Sequence, residues 1–317
     1  MKFYYKFFIC LAIICNLNSN AKAFQKYPQV IDLRDKSYEQ AIKSINSSSG
    51  KDLVIWQFKA QNNSEVSLCV LKTNTPIFEL KAFVLDKTTT LSSVISNNQA
   101  VFGINGGYFN LNNGKSTSYI GCGNKIMADP RDNSDLTENP NLKPFLNQIF
   151  NRSELRMIVY KNKTIFKICP HDTRIEPNEE LIWSIQAGPQ LLPTITANQE
   201  AFIRTNPSDG KRVDSIGCEL NKARSAVGIT SDNKIMLVCV AGPSQNSSSL
   251  GIKICDLASL FKDLNCSNAL NFDGGSSTSM VGYILDDNQE AQQKNFCIKN
   301  PPTKIKSGLL ITTRAHY

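Results

Sequence analysis

The stretch GINGGYF at residues 103–109 and the stretch NFDGGSSTSM at residues 271–280 are the features around which we expect the chain to fold. In each stretch an apolar run ends on a polar residue and passes at once into paired glycines. This pattern predicts a buried strand that delivers one side chain, Asn105 or Asp273, to a point where the backbone turns sharply or lies against a ligand. The two stretches are candidates for opposite walls of one site, although ordinary strand-to-turn junctions also contain glycine pairs.

Strand patterns fill most of the chain outside these stretches. Alternating or continuous apolar runs predict strands at residues 53–59, 66–71, 78–85, 101–104, 157–160, 164–168, 181–186, 280–285 and 308–312. The polar residues 231–234 separate two further apolar runs and predict a hairpin. Many strands, few helices and no regular alternation of strand and helix predict an α+β fold with a mixed, largely antiparallel sheet.

The clearest helical pattern lies just before the second glycine stretch. Apolar residues recur there every three or four positions and predict an amphipathic helix: Ile254, Leu257, Ala258, Phe261 and Leu264. A short helix is predicted within residues 86–95, with residues 88–90 as candidate N-caps.

The N-terminus has the pattern of a signal peptide over residues 1–23. Lys2 and Lys6 precede or flank a short apolar core, and Ala21-Lys22-Ala23 is a small-x-small cleavage signature. We expect cleavage before Phe24, a secreted or periplasmic mature chain, and no membrane span after the signal is removed. Residues 24–51 are expected to form an N-terminal segment or tether, and residues 52–317 a single domain.

Charge and cysteine content restrict the class of protein. The formal net charge is +8, without a basic stripe or an aromatic module, so we expect no nucleic-acid partner. Two of the ten cysteines lie in the predicted signal, and the even remainder predicts disulfides in an oxidising compartment. Some of these cysteines, such as Cys239, lie in apolar runs, where a buried free thiol fits equally well.

Several common catalytic arrangements are missing from the sequence. The only histidines are His171 and His316, and no G-x-S-x-G elbow occurs, which argues against a Ser-His-Asp site and against zinc sites built on several histidines. A lone histidine such as His171 is usually structural or solvated. The sequence Gly121-Cys122-Gly123 lacks the third glycine of a dinucleotide fingerprint, so it is interpreted as a turn.

The glycine stretches instead indicate a site for an anion or a sugar. Asp273 is followed by two glycines and a run of hydroxyl residues, which can present backbone N–H groups and hydroxyls into one concavity. Arg224 stands just ahead of an apolar strand, where its planar guanidinium is suited to hold a phosphate through two parallel hydrogen bonds. A surface ion pair is the alternative for Arg224.

Four stretches in this order resemble the phosphodiester glycosidase domain family: residues 104–109 (INGGYF), 186–189 (QAGP), 224–228 (RSAVG) and 273–278 (DGGSST). The resemblance implies hydrolysis of the bond between a sugar anomeric carbon and a phosphodiester oxygen. The sequence departs from the family pattern at one position: a third glycine often follows the aspartate in the family, and this chain has Ser276 there. A β-carbon at this position narrows the cavity and puts the identity of the substrate in doubt.

The resemblance and the residue chemistry together suggest roles for the site residues. Asp273 is expected to face the oxocarbenium-like carbon, Arg224 to clamp the phosphate, and Asn105 to act as a catalytic ligand. Further substrate contacts are expected from Gly106, Gly107, Gln186, Gly188, Gly274, Gly275, Ser276, Ser277 and Thr278. The expected substrate is a sugar-1-phosphate diester or a phosphoglycan. No cofactor is assigned, although a divalent cation at Asp273 is compatible with these residues.

Two alternative functions stay open at this level. One is a non-catalytic envelope protein that binds phosphoglycans. The other is a glycosidase acting on ordinary glycosides, which normally needs a second carboxylate. Glu219 and Asp214 are the nearest candidates for that second group.

Overall fold

The computed structural model describes residues 26–48, 50–123, 125–243, 249–298 and 302–314, so the predicted signal peptide and its cleavage position lie outside the described residues. The strands are β1 (Gln29–Asp32), β2 (Leu53–Lys59), β3 (Glu65–Lys72), β4 (Phe78–Thr90), β5 (Phe102–Asn105), β6 (Ile120–Cys122), β7 (Lys125–Ala128), β8 (Ser153–Tyr160), β9 (Lys163–Pro170), β10 (Glu179–Gln186), β11 (Gln190–Leu192), β12 (Ile203–Thr205), β13 (Arg212–Asp214), β14 (Arg224–Thr230), β15 (Lys234–Val240), β16 (Cys266–Asn271), β17 (Ser279–Leu285), β18 (Ala291–Ile298) and β19 (Lys304–Thr313). The α-helices are α1 (Tyr38–Ser47), α2 (Leu91–Asn97), α3 (Ser134–Thr137), α4 (Leu146–Phe150) and α5 (Ile254–Asp263). Within this part of the chain, no helix is both long enough and apolar enough to cross a membrane.

Three sheets carry the fold. The largest has seven strands in the order β1-β2-β3-β15-β14-β16-β11, and its neighbours are antiparallel except for β1 and β2. Two antiparallel five-stranded sheets have the orders β7-β6-β10-β8-β9 and β18-β17-β5-β19-β4. The predicted α+β class with mixed, largely antiparallel pairing is confirmed, and the strands divide into several sheets rather than one.

The seven-stranded sheet lies between helices α1 and α5 on one face and the two five-stranded sheets on the other. In β15, Ile235, Leu237 and Cys239 belong to the apolar core that includes residues from both five-stranded sheets. The intervening residues Met236 and Val238 pack instead in a core with α1 and α5. Because successive side chains of a strand point to opposite faces, both faces of this sheet are buried.

The two helices predicted from spacing are both present. Helix α5 buries the predicted apolar face, namely Ile254, Leu257, Ala258 and Phe261, and burial of each large apolar side chain contributes about 1.5–3 kcal/mol. Helix α2 begins at Leu91, directly after the candidate N-caps, because residues 86–90 continue strand β4. The hydroxyl of Thr90 caps it by accepting a hydrogen bond from Ser93 N (3.3 Å).

Residues 26–48 of the predicted N-terminal segment contain strand β1 and helix α1. Strand β1 pairs in parallel with β2, and α1 begins with a capping box in which the Ser37 hydroxyl accepts from Gln40 N and the Gln40 side chain accepts from Ser37 N. Ala41 and Ile45 are the buried residues of α1. Helix α1 was not predicted, because only these two apolar residues form its buried face and the surrounding residues are polar.

A disulfide joins the seven-stranded sheet to one of the five-stranded sheets. It links Cys239 in β15 to Cys297 in β18, whose Cα atoms are 6.2 Å apart. Of the two interpretations of Cys239, the disulfide is therefore correct. The other described cysteines are free: Cys69, Cys122, Cys169, Cys218, Cys255 and Cys266.

Replacing both Cys239 and Cys297 with alanine should lower the free energy of unfolding by about 2–4 kcal/mol. The reason is that the unfolded chain regains the freedom that the cross-link removes over a sequence separation of 58 residues. Urea unfolding of the double variant and of wild type measures the difference, with Cys122→Ala, the loss of an exposed free thiol, as the control. Equal midpoints and slopes for the double variant and wild type would contradict a stabilising role.

Candidate active site

The two glycine stretches meet where β5 and β16 end. The Asp273 N–H donates to Gly106 O (2.8 Å), and Asn105 Nδ2 donates to Asp273 O (2.6 Å). The Phe272 N–H donates to Ser225 O (2.8 Å) at the start of β14. The structure thus brings the backbones of Asn105 and Asp273 together, as the sequence predicts.

Asp273 has the chemistry of a proton-transfer group. The residue is half-buried, and burial raises the pKa of its carboxyl group from the ordinary 3.8 to about 7. Hydrogen bonds from the Ser277 hydroxyl and the Gly274 N–H lower this pKa and offset only part of the effect of burial. A carboxyl group with a pKa near neutrality can take up or release a proton at physiological pH.

Asn105 serves the backbone rather than a substrate. Its side chain is buried, with the residue 1% exposed. Besides the bond to Asp273, its Oδ1 accepts from Ser225 Oγ (2.6 Å) and from Ser279 N (3.0 Å). Three of the four hydrogen-bonding positions of the buried amide are used inside the protein, and the role of Asn105 as a catalytic ligand stays a prediction. Asn105 is a positioning residue that ties β5, β14 and β17 to the Asp273 backbone.

The glycine pair after Asn105 allows close packing. A Cβ on Gly106 would lie 2.4 Å from Ile185 Cδ1, and one on Gly107 would lie 2.9 Å from Gln186 O. Their N–H groups donate to Ser307, from Gly106 to the carbonyl (2.9 Å) and from Gly107 to the hydroxyl (3.1 Å). The prediction that this backbone binds sugar or phosphate is corrected, because both donors are used within the protein.

Gln186 is also a structural residue. It is fully buried, its Nε2 donates to Phe150 O (2.8 Å) and Arg152 O (3.1 Å), and its Oε1 accepts from Tyr119 N (3.2 Å). These bonds connect three segments across the sheet containing β10. The predicted contact with a sugar hydroxyl is therefore wrong for this side chain.

Gly188 is required by packing. Its φ is +109°, and a Cβ there would lie 2.1 Å from Glu200 Oε2. Its carbonyl accepts from the Tyr108 hydroxyl (2.8 Å) and from Asn271 Nδ2 (3.1 Å). The buried position corrects the prediction of a substrate contact at Gly188.

The segment after Asp273 forms the open edge of the site. Gly275 is exposed with φ +59°, and Ser276 is half-buried. Ser277 and Gly274 are engaged with the Asp273 carboxylate. Thr278 is buried, and its Oγ1 has no hydrogen-bond partner among the described residues. Of the predicted contacts in this segment, Gly275 and Ser276 are therefore the ones placed to meet a ligand.

Arg224 holds two loops together. It is 2% exposed, and its Nε donates to Ile252 O (3.2 Å) and its Nη1 to Ile216 O (3.0 Å). Its Nη2 donates to both Gly217 O and Leu220 O. Four of the five N–H groups are used, so no parallel pair is left for a phosphate. In this structure Arg224 acts as an anchor of the two loops, and its role as a phosphate clamp stays a prediction.

Tyr108 is a site residue that the sequence reasoning did not assign. Its hydroxyl bonds to Gly188 O (2.8 Å) and Phe272 O (3.2 Å) and accepts from Asn271 Nδ2 (2.8 Å). Burial raises the pKa of Tyr108, and the negative charge of Asp273 raises it further. The sequence signal that could have pointed to Tyr108 is its position as an aromatic residue directly after the glycine pair.

The candidates for a second carboxylate lie on the loop that Arg224 anchors. Glu219 is exposed and pairs with Arg212 (2.7 Å), and its N–H donates to Asp214 (3.3 Å). Neither carboxylate contributes to the pKa of Asp273. Among the residues that the structure describes, no group of three or more His, Cys, Asp or Glu side chains could hold a metal ion.

His171 has a structural environment. The Nδ1 of His171 is hydrogen-bonded to Glu154 (2.7 Å), and Glu154 also forms an ion pair with Arg156 (2.6 Å). The imidazole ring of His171 stacks on the ring of Tyr119, with centroids 4.0 Å apart. His171 lines a cavity of about 370 Å³. Asp273 lines neither this cavity nor two others of about 530 and 270 Å³.

Comparison with known proteins places the chain in a family. The phosphodiester glycosidase family model matches residues 98–312, more than half of the chain. The chain belongs to the phosphodiester glycosidase family. The matched range includes all four stretches that carry the resemblance in the sequence. No curated protein matches the chain.

Solved structures show which proteins share the fold of this phosphodiester glycosidase domain. The catalytic domain of zebrafish N-acetylglucosamine-1-phosphodiester alpha-N-acetylglucosaminidase, auto-inhibited by its pro-peptide, is 17% identical with a TM-score of 0.57, covering 85% of this chain and 86% of that one. A hypothetical protein from Synechocystis is 14% identical with a TM-score of 0.47 and coverage of 84% and 64%. A putative exported protein from Burkholderia pseudomallei is 13% identical with a TM-score of 0.48 and coverage of 78% and 74%. At 17% identity, the similarity to the zebrafish catalytic domain shows only that the two proteins share a fold.

Proposed function

We propose that the chain is an exported hydrolase that cleaves the bond between a sugar anomeric carbon and a phosphodiester oxygen. Membership of the phosphodiester glycosidase family supports the reaction class. The observation that carries the assignment of the centre is the half-buried Asp273 carboxyl group, whose pKa is about 7, at the junction of the two glycine stretches.

The chemistry needs a base more than an acid. A phosphate monoester leaves readily as an anion, so its oxygen can keep the electron pair of the broken C1–O bond with little protonation. The ionised Asp273 takes a proton from a water molecule as the water oxygen bonds to C1, and afterwards releases that proton to solvent. The charge that develops at C1 faces the same carboxylate. This route inverts the anomeric configuration, whereas attack by Asp273 itself would retain it.

The direct test is a panel of substrates. Purified protein is incubated with sugar-1-phosphodiesters and with ordinary aryl glycosides of the same sugars, with and without chelator, and released sugar is measured. Release from the phosphodiesters alone supports the proposal. Calorimetric binding of a phosphoglycan without turnover would favour the non-catalytic envelope protein, and release from aryl glycosides would favour the ordinary glycosidase.

The rate should depend on pH through Asp273. Because the ionised form acts as the base, kcat/KM should rise by about tenfold per pH unit below the pKa and level off above it. The midpoint is expected at about 7, since burial raises the pKa of Asp273 to that value. A pH profile of kcat/KM from 4.5 to 9 measures this. A rate that falls as pH rises through 7 would instead identify the protonated form as the active one.

Export is the second part of the proposal. The predicted signal peptide supports it, and so does the Cys239–Cys297 disulfide, because disulfides persist mainly in oxidising compartments. The expected location is secreted or periplasmic. Fractionation of the producing cells, followed by N-terminal sequencing of the recovered protein, tests both the location and cleavage before Phe24.

A further inference from the structure

Arg152 is a deeply buried arginine with most of its donors unused. It directly precedes β8 and is 8% exposed. Its Nε donates to Glu200 O (3.0 Å), and its guanidinium carbon lies 3.8 Å from the centre of the Phe202 ring. Within the described part of the chain, its two terminal nitrogens make no hydrogen bond. Buried arginines are normally paired, so these N–H groups are donors available to an anion.

A second arginine adds to the positive charge at this place. Arg204 in β12 donates one hydrogen bond, from Nη1 to Ala201 O (3.1 Å), and its Nε is buried with no partner among the described residues. Burial is the main cause that lowers the pKa of Arg152 to about 10; the charges of Tyr108 and Glu200 raise this pKa, and the charge of Arg204 lowers it. Two like charges held this close are stabilised by a counter-charge between them.

The neighbouring carboxylate of Glu200 raises the pKa of Arg152 but offsets only one of the two positive charges. Glu200 Oε1 accepts from Ser153 Oγ (2.7 Å), Gln190 N (3.1 Å) and the Thr196 hydroxyl. No ion pair between Glu200 and an arginine is found within the residues that the structure describes. Two positive charges and one negative charge leave the cluster with a net charge of one positive unit.

Tyr108 connects this cluster to the catalytic carboxylate. Its ring packs on Phe202 with centroids 5.4 Å apart, and its hydroxyl bonds to the carbonyl of Phe272, the residue before Asp273. The charges of Asp273 and Arg152 both act on the phenol of Tyr108. The cluster and the carboxylate therefore flank the same side chain.

We propose that Arg152 and Arg204 bind the phosphate of the substrate, in the role that the sequence assigns to Arg224. A phosphodiester carries one negative charge, which matches the net charge of the cluster. The planar guanidinium of Arg152 presents parallel donors that fit two phosphate oxygens. The assignment of this phosphate to a substrate rests on the proposed function, whereas the binding of an oxyanion does not.

A consequence concerns the product. A phosphate monoester has a second pKa near 6 and carries about −1.5 to −2 charge at pH 7, so it should bind to the two arginines more tightly than the diester. Inorganic phosphate has the same chemistry and should compete with the substrate.

The experiment measures binding of inorganic phosphate to the full chain by calorimetry, without any need for turnover. The variant Arg152→Met should weaken binding by about 100-fold or more, because the phosphate loses two charge-assisted hydrogen bonds. Arg152→Lys keeps the charge but loses the planar donors, so it should bind phosphate more tightly than Arg152→Met and less tightly than wild type. The control is Arg34→Met, which removes an exposed arginine paired with Asp32 on the far edge of the seven-stranded sheet.

The variants are first checked for folding by circular dichroism and thermal unfolding. If Arg152→Met does not fold, Arg204→Met, which removes a half-buried side chain, provides the same comparison with an expected loss of about tenfold. Phosphate binding that is unchanged in the folded variant, or absent from wild type, would overturn the proposal. Phosphate binding that depends on Arg152 in a protein that releases no sugar would overturn the proposed function and keep the anion site. Sugar release with an unchanged KM in Arg152→Met would overturn the anion site and keep the proposed function.

Discussion

Asp273→Asn should lower the rate of sugar release from a sugar-1-phosphodiester by about 10²–10⁴-fold, the usual contribution of a positioned proton-transfer group. The amide has nearly the same shape and still accepts hydrogen bonds from Ser277 and Gly274, which hold the carboxylate in wild type. It cannot take a proton from water. The measurement is kcat/KM for wild type, for this variant and for Asp287→Asn, an exposed aspartate in the turn between β17 and β18. Near-full turnover by a folded Asp273→Asn protein would remove Asp273 from the mechanism.

The same variant separates loss of chemistry from loss of folding. The pKa of Asp273 is raised from 3.8 to about 7 in the folded protein, so its contribution to stability is fully present below pH 4 and is lost as pH rises to 7. The asparagine does not titrate. The variant should therefore become more stable relative to wild type as pH rises from 4 to 7, with no further change above 7. Urea unfolding at pH 4, 5.5 and 8 measures this. An inactive variant that is less stable than wild type at pH 8 would point to damaged packing.

Much of the fold could be predicted because burial imposes simple periods on the sequence. The hairpin of β14 and β15 and the face of α5 follow from apolar residues at spacings of two and of three to four. Strand β1 and helix α1 were missed because their apolar residues are few and the segment is polar. The Ser37–Gln40 capping box was the local signal for α1. The division of the strands into four sheets, one of them the two-stranded pair of β12 and β13, depends on contacts between distant segments, which the periodicity of the sequence does not contain.

The meeting of the two glycine stretches could be predicted, since each ends a buried strand. The catalytic role of Asp273 stays a prediction. The roles of Asn105 and Gln186 could not be predicted, because a polar residue at a strand end looks the same whether it meets a ligand or bonds to the backbone. The hydrogen-bond partners of the residue decide which of the two roles it has. For Asn105 these partners include Ser225 and Ser279, which are far from it in the sequence.

Arg152 and Arg204 show the limit of motif reasoning. Each is a single basic residue in an ordinary segment, and no pattern in the sequence distinguishes it from a surface arginine. Arg224, by contrast, stands in a family motif and invited a role at the substrate. In the structure four donors of Arg224 are used on carbonyls, whereas within the described residues only the Nε of Arg152 donates a hydrogen bond.

Arg224→Met should therefore affect stability first, lowering the free energy of unfolding by about 3–5 kcal/mol. The side chain fills a buried space, and its removal leaves carbonyls of Ile216, Gly217 and Ile252 without their donor. Each buried polar group left without a partner costs about 1–3 kcal/mol, and loop carbonyls that reach water cost less. Urea unfolding measures the change. The matched control is Arg212→Met, which removes an exposed arginine paired with Glu219 and should cost less than about 1 kcal/mol.

The kinetics of the folded Arg224→Met protein decide between anchor and clamp. If Arg224 only anchors the loops, inorganic phosphate should bind to the folded variant about as tightly as to wild type, because Arg152 keeps its position on the ring of Phe202. Any loss of activity should then follow the loss of folded protein as temperature is raised. If Arg224 clamps the phosphate, the variant should instead unfold like wild type and show a KM for the phosphodiester raised by about tenfold or more. That second result would return the phosphate to the position that the sequence motif suggests and would require the four carbonyl bonds of Arg224 to open when substrate binds.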